Sequence, residues 1–204
     1  MVERLRDRGI KDPRVLAALR SVPRHRLVPE ALRHQAYGES ALPIGERQTI
    51  SAPQVVAAMS EALALRGDET VLEIGTGSAY QAAILSRLAE RVISIERIPD
   101  LASRARSALD ACGITNVVVF LGDGSRGWPA EAPYDGIVVT AAAPTVPEPL
   151  LDQLAPGGRL VGPFGERDEQ ELLRITRRPD GEFERKKLGR CRFVDLLGEH
   201  GWAA

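Results

Sequence analysis

From Thr70 onward, short apolar runs alternate with amphipathic segments whose apolar residues recur every three to four positions. That alternation is the repeat of parallel strands joined by crossover helices. The pattern predicts strands at Thr70–Ile74, Arg91–Glu96, Val117–Leu121, Tyr134–Thr140 and Gly158–Pro163, the last introduced by Pro156-Gly157-Gly158. Between them it predicts helices at Tyr80–Ala89, at Asp100–Cys112 ended by Gly113, and at Pro147–Leu154. The pattern then changes: Glu171–Arg178 and Glu184–Asp195, on either side of the Pro179-Asp180-Gly181 turn, read as two antiparallel strands closing the sheet.

The first 65 residues lack this alternation. Pro13–Ser21, Pro29–Gln35 and Pro53–Leu65 read as helices, each opening on the proline tolerated at a first helical position, and together they form a cap. The expected fold is therefore α/β, a Rossmann-like doubly wound and mostly parallel sheet of about seven strands with helices on both faces. One domain is expected over residues 1–204, with a helical cap (1–65), a cofactor-binding core (66–165) and C-terminal strands (166–204).

Composition narrows the function. A chain of 204 residues, 44% hydrophobic and 27% charged, fits one globular domain with a sizeable core. With 27 basic and 28 acidic residues it lacks the basic field of a nucleic-acid binder. No apolar run is long enough for a membrane span, and the opening residues are too charged for a signal peptide, so a cytoplasmic protein is expected. Cys112 and Cys191 have no CxxC spacing and read as ordinary thiols. His25, His34 and His200 have no metal-ligand spacing, so no metal is expected.

The candidate chemistry starts at Val71-Leu72-Glu73-Ile74-Gly75-Thr76-Gly77-Ser78-Ala79-Tyr80, a buried strand breaking into a glycine turn and then a helix. Glycines let the backbone turn tightly against a ligand, and N–H groups opening the next helix offer it donors. Tyr80 is too bulky for the third small residue of the dinucleotide fingerprint, which points to a different nucleoside. Glu96, at the end of the second strand, suits both hydroxyls of a ribose, and is equally a solvated strand end. Asp123, in Leu121-Gly122-Asp123-Gly124, suits an adenine edge, and is equally an Asp-Gly turn. Ligands of open parallel sheets bind outside the carboxyl ends of strands, so these strand ends converge on one crevice. Ala141-Ala142-Ala143-Pro144 reads as a narrow loop that admits a close neighbour, or as tight packing.

Several segments resemble the protein-L-isoaspartate O-methyltransferases, a family of class I AdoMet-dependent methyltransferases. They are Gln48-Thr49-Ile50-Ser51-Ala52-Pro53, the glycine turn, Gly122-Asp123-Gly124, Ala132-Pro133-Tyr134-Asp135, Ala141-Ala142-Ala143-Pro144 and Leu154-Ala155-Pro156-Gly157-Gly158-Arg159-Leu160. The first and the Ala141 loop are the more specific. The resemblance implies methyl transfer from S-adenosyl-L-methionine to the free α-carboxylate of isoaspartyl residues in damaged proteins and peptides, with S-adenosyl-L-homocysteine as product. The ester then collapses to a succinimide unaided. The resemblance also implies a monomer, an active-site Ser51, and a cofactor site of Gln48, Thr49, Ile50, Val56, Glu73, Gly75, Thr76, Gly77, Ser78, Glu96, Arg97, Asp123, Gly124 and Leu197. Two alternatives stay open: a related carboxyl methyltransferase acting on a dedicated peptide or another small acid, and an AdoMet-binding protein without catalysis.

The implied chemistry needs little from the chain. A carboxylate, whose ordinary pKa is about 4, is already ionised at neutral pH, so displacement at a sulfonium methyl needs positioning rather than a base, a metal or a nucleophile. Ser51 also suits the N-cap of the helix at Pro53, and Val56 also suits the core. Two residues depart from the family pattern. Ala79 replaces a glycine of the turn and is expected to have an ordinary helical backbone. Asp195, in Phe193-Val194-Asp195-Leu196-Leu197, replaces a proline and brings negative charge toward a pocket for a carboxylate, unless it pairs with a cation such as Arg192.

Overall fold

The structure, a computed structural model, describes residues 1–203. Its centre is a seven-stranded sheet built from β3 (Thr70–Ile74), β4 (Arg91–Glu96), β5 (Val117–Leu121), β6 (Tyr134–Val139), β7 (Leu154–Gly165), β8 (Gln170–Arg177) and β9 (Phe183–Cys191). The strand order is β5-β4-β3-β6-β7-β8-β9. β5 to β7 pair in parallel across the sheet, and β8 and β9 are antiparallel. This is the doubly wound arrangement that the alternating pattern implies. The order reverses at β3, so the crevice between the carboxyl ends of β3 and β6 is the topological switch point.

Alternating residues of the parallel strands feed two apolar layers. Val71, Val92, Val119, Val138 and Val161 face one side, which is filled by α3 (Pro53–Leu63), α4 (Tyr80–Leu85), α5 (Pro99–Ala111) and the N-terminal elements. Leu72, Ile74, Ile93, Ile95, Ile137 and Leu160 face the other, packed with Tyr134, Phe164 and Leu150 of α6 (Glu148–Asp152). Strands apolar on both faces are what a covered parallel sheet requires.

The N-terminal region contains α1 (Val2–Asp7) and α2 (Pro13–Ser21), followed by 3-10 turns at Arg24–Arg26 and Glu30–Gln35. The helix expected at Pro29–Gln35 is thus the tighter form, with Leu32 N–H bonded to Pro29 O and Ala36 N–H to Arg33 O. Arg24 is fully buried. Its Nε donates to Ala36 O at 2.7 Å and its guanidinium lies 4.5 Å above the Tyr80 ring, which fastens this region to the first turn of α4.

A hairpin of β1 (Leu42–Gly45) and β2 (Gln48–Ile50), absent from the expected elements, carries the Gln48-Thr49-Ile50 segment. Glu46 and Arg47, its two connecting residues, have φ of 51° and 55°, the sign pattern of a type I′ turn that favours Asn-Gly. Both are exposed, so no buried contact offsets the strain. Replacing Glu46-Arg47 with Asn-Gly is expected to stabilise the fold by about 1 kcal/mol; thermal unfolding checks this, and a lower Tm would contradict it.

Other boundaries moved for local reasons. α3 stops at Leu63 because Ala64 turns left-handed, with φ 49°. α4 ends at Leu85, followed by tighter turns with Arg87 N–H bonded to Ile84 O and Leu88 N–H to Leu85 O. α6 is only five residues, and β7 begins earlier than expected, at Leu154. β9 leaves the sheet after Cys191 rather than continuing to Asp195. The next residues cross to the Ala141 loop instead: Ala142 N–H bonds Val194 O, and Leu196 N–H bonds Ala142 O, both at 2.7 Å. The small residues of that loop admit a neighbouring backbone.

Candidate active site

At the switch point lies a cavity of about 820 Å³, including its open mouth. It is lined from the hairpin side by Gln48, Thr49, Ile50 and Ser51, by Val56 of α3, by Gly75, Thr76, Gly77 and Ser78 of the glycine turn, and by Glu96 and Arg97 at the end of β4. Gly124 and Leu197 complete the expected residues present. Ile74, Tyr80, Gln81, Ile95, Ile98, Thr140, Ala141, Val194, Asp195 and Leu196 also line it and were not among the expected site residues. Thr140 had a usable signal, since it ends the strand beside β3 at the switch point.

The glycines serve the turn sterically. Gly75 and Gly77 have φ of 94° and 53°, and a Cβ on Gly75 would lie 2.6 Å from Thr140 Oγ1. Thr140 Oγ1 lies 2.9 Å from Ile74 O and 2.6 Å from Gly75 O, tying the end of β6 to the turn. The supply of donors is smaller than the sequence suggests. Gly75 and Thr76 N–H bond Ile95 O, Gly77 N–H bonds Glu96, Ala79 N–H bonds Thr76 O and Tyr80 N–H bonds Ser78 Oγ. From Gly75 to Tyr80, only the Ser78 N–H is left for a ligand.

Ala79 does not have the helical backbone expected of it. Its φ is 65° and ψ 13°, left-handed, because the turn demands there the conformation that glycine supplies. The left-handed region costs an alanine about 1–2 kcal/mol. The methyl group is fully buried, which offsets roughly 0.8 kcal/mol of that cost.

Glu96 is pre-positioned. Its Oε2 accepts Gly77 N–H and its Oε1 accepts Ile98 N–H, each at 2.9 Å. A carboxylate has about four acceptor positions, so one on each oxygen remains for a pair of hydroxyls. Ser51 is placed differently from the capping alternative. The N-cap of α3 is Ala52, with no side-chain capping bond, and the Ser51 hydroxyl is bonded to no protein atom among the described residues.

Two expected residues lie outside the lining. Glu73 is one residue short of the strand end, so the pleat turns its side chain away from the crevice, opposite its register partner Ser94. Ser94 Oγ donates to Glu73 and shares a hydrogen bond of 2.5 Å with Thr76 Oγ1. Burial pushes the Glu73 carboxyl up to about 8, with nearby Glu96 reinforcing this and the Ser94 bond opposing it. Asp123 instead anchors the C-terminal segment: Oδ1 accepts Ser125 N–H (2.9 Å) and Ser125 Oγ–H (2.7 Å), while Oδ2 accepts Glu199 N–H (2.8 Å). Burial acts to raise its pKa, but these bonds outweigh it and hold the carboxyl below the ordinary value.

The raised Glu73 pKa carries a pH dependence. Between the unfolded value of 4.5 and about 8 the folded protein binds more protons at this site, so its stability falls as pH rises through that window and levels off above it. Glu73→Gln keeps the Ser94 bond and removes the titration. Its Tm is expected to exceed that of the unmodified protein by roughly 5–10 °C at pH 8. Near pH 4.5 the gain should vanish, and an equal gain at both pH values would contradict the assignment.

Asp195 lines the cavity, but its partner is not Arg192. Its Oδ2 lies 3.3 Å from Nε of Arg167, whose guanidinium stacks 4.7 Å over the Trp202 ring. The sequence held no local signal for this pair, which joins the turn between β7 and β8 to the C-terminal segment.

Comparison with known proteins places the chain in a family. The family described as protein-L-isoaspartate(D-aspartate) O-methyltransferase matches residues 1–201. Protein-L-isoaspartate O-methyltransferase 1 of Syntrophobacter fumaroxidans is 56% identical over 203 residues, covering 99% of this chain and 94% of that one. Its Methanoculleus marisnigri counterpart is 55% identical, covering 99% and 92%. Among solved structures, a protein-L-isoaspartate O-methyltransferase superposes with TM-score 0.86 at 29% identity, covering 98% of this chain and 67% of that one. A Plasmodium falciparum protein described as a beta-aspartate methyltransferase, solved in complex with S-adenosyl-L-homocysteine, gives 0.84 at 26% identity and covers 96% of each chain. On this whole-length match, the chain belongs to the protein-L-isoaspartate(D-aspartate) O-methyltransferase family.

Proposed function

We propose that this chain transfers a methyl group from S-adenosyl-L-methionine to the free α-carboxylate of L-isoaspartyl residues in damaged proteins and peptides, starting their repair through a succinimide. The observation that carries this reading is an unspent hydroxyl, that of Ser51, in the same cavity as the fixed carboxylate of Glu96. The cavity suits the cofactor: Glu96 retains an acceptor position on each oxygen for the two ribose hydroxyls. When bound, S-adenosyl-L-methionine supplies a methyl carbon on a sulfonium sulfur, open to displacement by a carboxylate oxygen.

The chain's own work is orientation and exclusion of water. Glu96, held by two backbone N–H groups, fixes the sugar without reorganising. Gln48 to Ile50 bring Ser51 into the cavity lining at the end of a strand, and its hydroxyl donates to the acceptor carboxylate and sets the line of attack. Ile74, Ile95 and Leu196 keep the cavity wall apolar. Holding reactants aligned in such a site contributes roughly 7–11 kcal/mol in well-oriented systems. Asp123 acts at one remove, fastening the C-terminal segment that closes the cavity.

The chain is further proposed to act as a single-domain, cytoplasmic monomer without nucleic-acid partners. A net charge of −1 supports the last point, and no helix among the described residues is long and apolar enough to cross a membrane. The product tests the reaction class. A carboxyl methyl ester releases labelled methanol in mild base, whereas a methylated nitrogen retains its label, and retained label would overturn the reading.

A further inference from the structure

Arg167 stands in the short turn between β7 and β8, outside the cavity lining but paired with Asp195, which belongs to it. Three groups meet there. The guanidinium carbon lies over the Trp202 ring, 4.7 Å from its centroid, and Asp195 approaches its Nε at 3.3 Å. Asp195 is in turn held by the backbone bonds of its neighbours Val194 and Leu196 to Ala142. The ring and the carboxylate together restrict where the guanidinium can lie. Among the described residues no group bonds Nη1 or Nη2, and the Arg167 side chain is 56% exposed. A planar fork held between a ring and a carboxylate, with its outer edge unoccupied, matches the geometry of a second carboxylate.

Charge gives this arrangement a purpose. Asp195 puts a negative group in the lining of a cavity proposed to receive an anion, and Arg167 neutralises it from outside the lining. Because Arg167 is outside the lining and Ser51 is in it, the carboxylate that reaches Arg167 is not the one being methylated. We infer that Arg167 is a specificity-determining residue whose outer edge receives the carboxylate of an acidic residue adjacent to the isoaspartyl residue of the acceptor peptide. Asp195 and Trp202 are its positioning partners. This rests on the proposed reaction.

The test uses two isoaspartyl peptides that differ only in a flanking Glu or Gln, assayed with the full chain and labelled S-adenosyl-L-methionine. The unmodified protein is expected to show a KM at least fivefold lower for the Glu peptide, with kcat values within twofold and a preference that shrinks as salt is raised. Arg167→Met is expected to erase the preference, and because the two peptides are compared within the same variant, any general effect of the unpaired Asp195 cancels from their KM ratio. Arg167→Lys keeps a charge without the fork and should retain only part of the preference. Equal KM values for the two peptides in the unmodified protein, or a preference that survives Arg167→Met, would overturn the inference alone. Methylation of neither peptide would overturn the proposed reaction and the inference with it.

Discussion

A Ser51→Asp variant is expected to fold as stably as the unmodified protein and to transfer methyl groups about a thousandfold more slowly. Two unit charges about 4 Å apart at an effective dielectric near 20 repel by about 4 kcal/mol, which sets this scale. The stability half of the expectation follows from Ala52, not Ser51, being the N-cap of α3, with no side-chain capping bond to lose. Ser51→Ala should likewise keep its Tm and lose roughly 10- to 100-fold in kcat/KM, the worth of one hydrogen bond to a charged group. If Ser51 only shaped the start of the helix, Ser51→Ala would be less stable, while Ser51→Asp would keep both its Tm and its activity. Melting curves and initial rates on the same preparations separate the two outcomes.

The second large effect is at Glu96. Glu96→Ala removes both acceptors for the ribose and also leaves the N–H groups of Gly77 and Ile98 without partners. Losing two charge-assisted bonds is expected to weaken cofactor binding by roughly 100- to 1,000-fold. The freed N–H groups add a stability loss of about 1–3 kcal/mol. Glu96→Gln, retaining one carbonyl acceptor, should fall between the two proteins in affinity. Titration calorimetry with S-adenosyl-L-homocysteine measures these affinities directly, and an unchanged Kd for Glu96→Ala would remove Glu96 from the cofactor site.

Both predictions depend on details the chain's pattern did not contain. The strands Thr70–Ile74, Arg91–Glu96 and Val117–Leu121 were legible to the residue because each is a short run, largely apolar and bounded by turn residues. The β1–β2 hairpin was not, since its strands have four and three residues and its turn residues, Glu46 and Arg47, carry no turn signal. The end of β9 was misplaced because the apolar alternation of 192–196 reflects docking against Ala142 rather than pairing with β8.

The same division runs through the site. Gly75 to Ser78 were legible because chain direction carries a strand end to the crevice, whereas Gln48 to Ser51 came only from the family resemblance, since the hairpin that carries them left no pattern to read. Glu73 was not, because one step of the pleat separates a side chain beneath the turn from one facing the ligand. Asp123 reads as a ligand-binding strand end, but its Oδ1 accepts from Ser125 in its own turn and its Oδ2 from Glu199, far later in the chain. The Arg167, Asp195 and Trp202 contacts join separate segments, and long-range pairs of this kind leave no local spacing to read.

The most direct measurement of the central claim compares two peptides of identical sequence, one with an isoaspartyl linkage and one with the ordinary aspartyl linkage, as acceptors of label from S-adenosyl-L-methionine. The account predicts transfer to the isoaspartyl peptide, with base-labile label, and none above background to its aspartyl twin. Equal labelling of the two, or labelling of the aspartyl peptide alone, would contradict it.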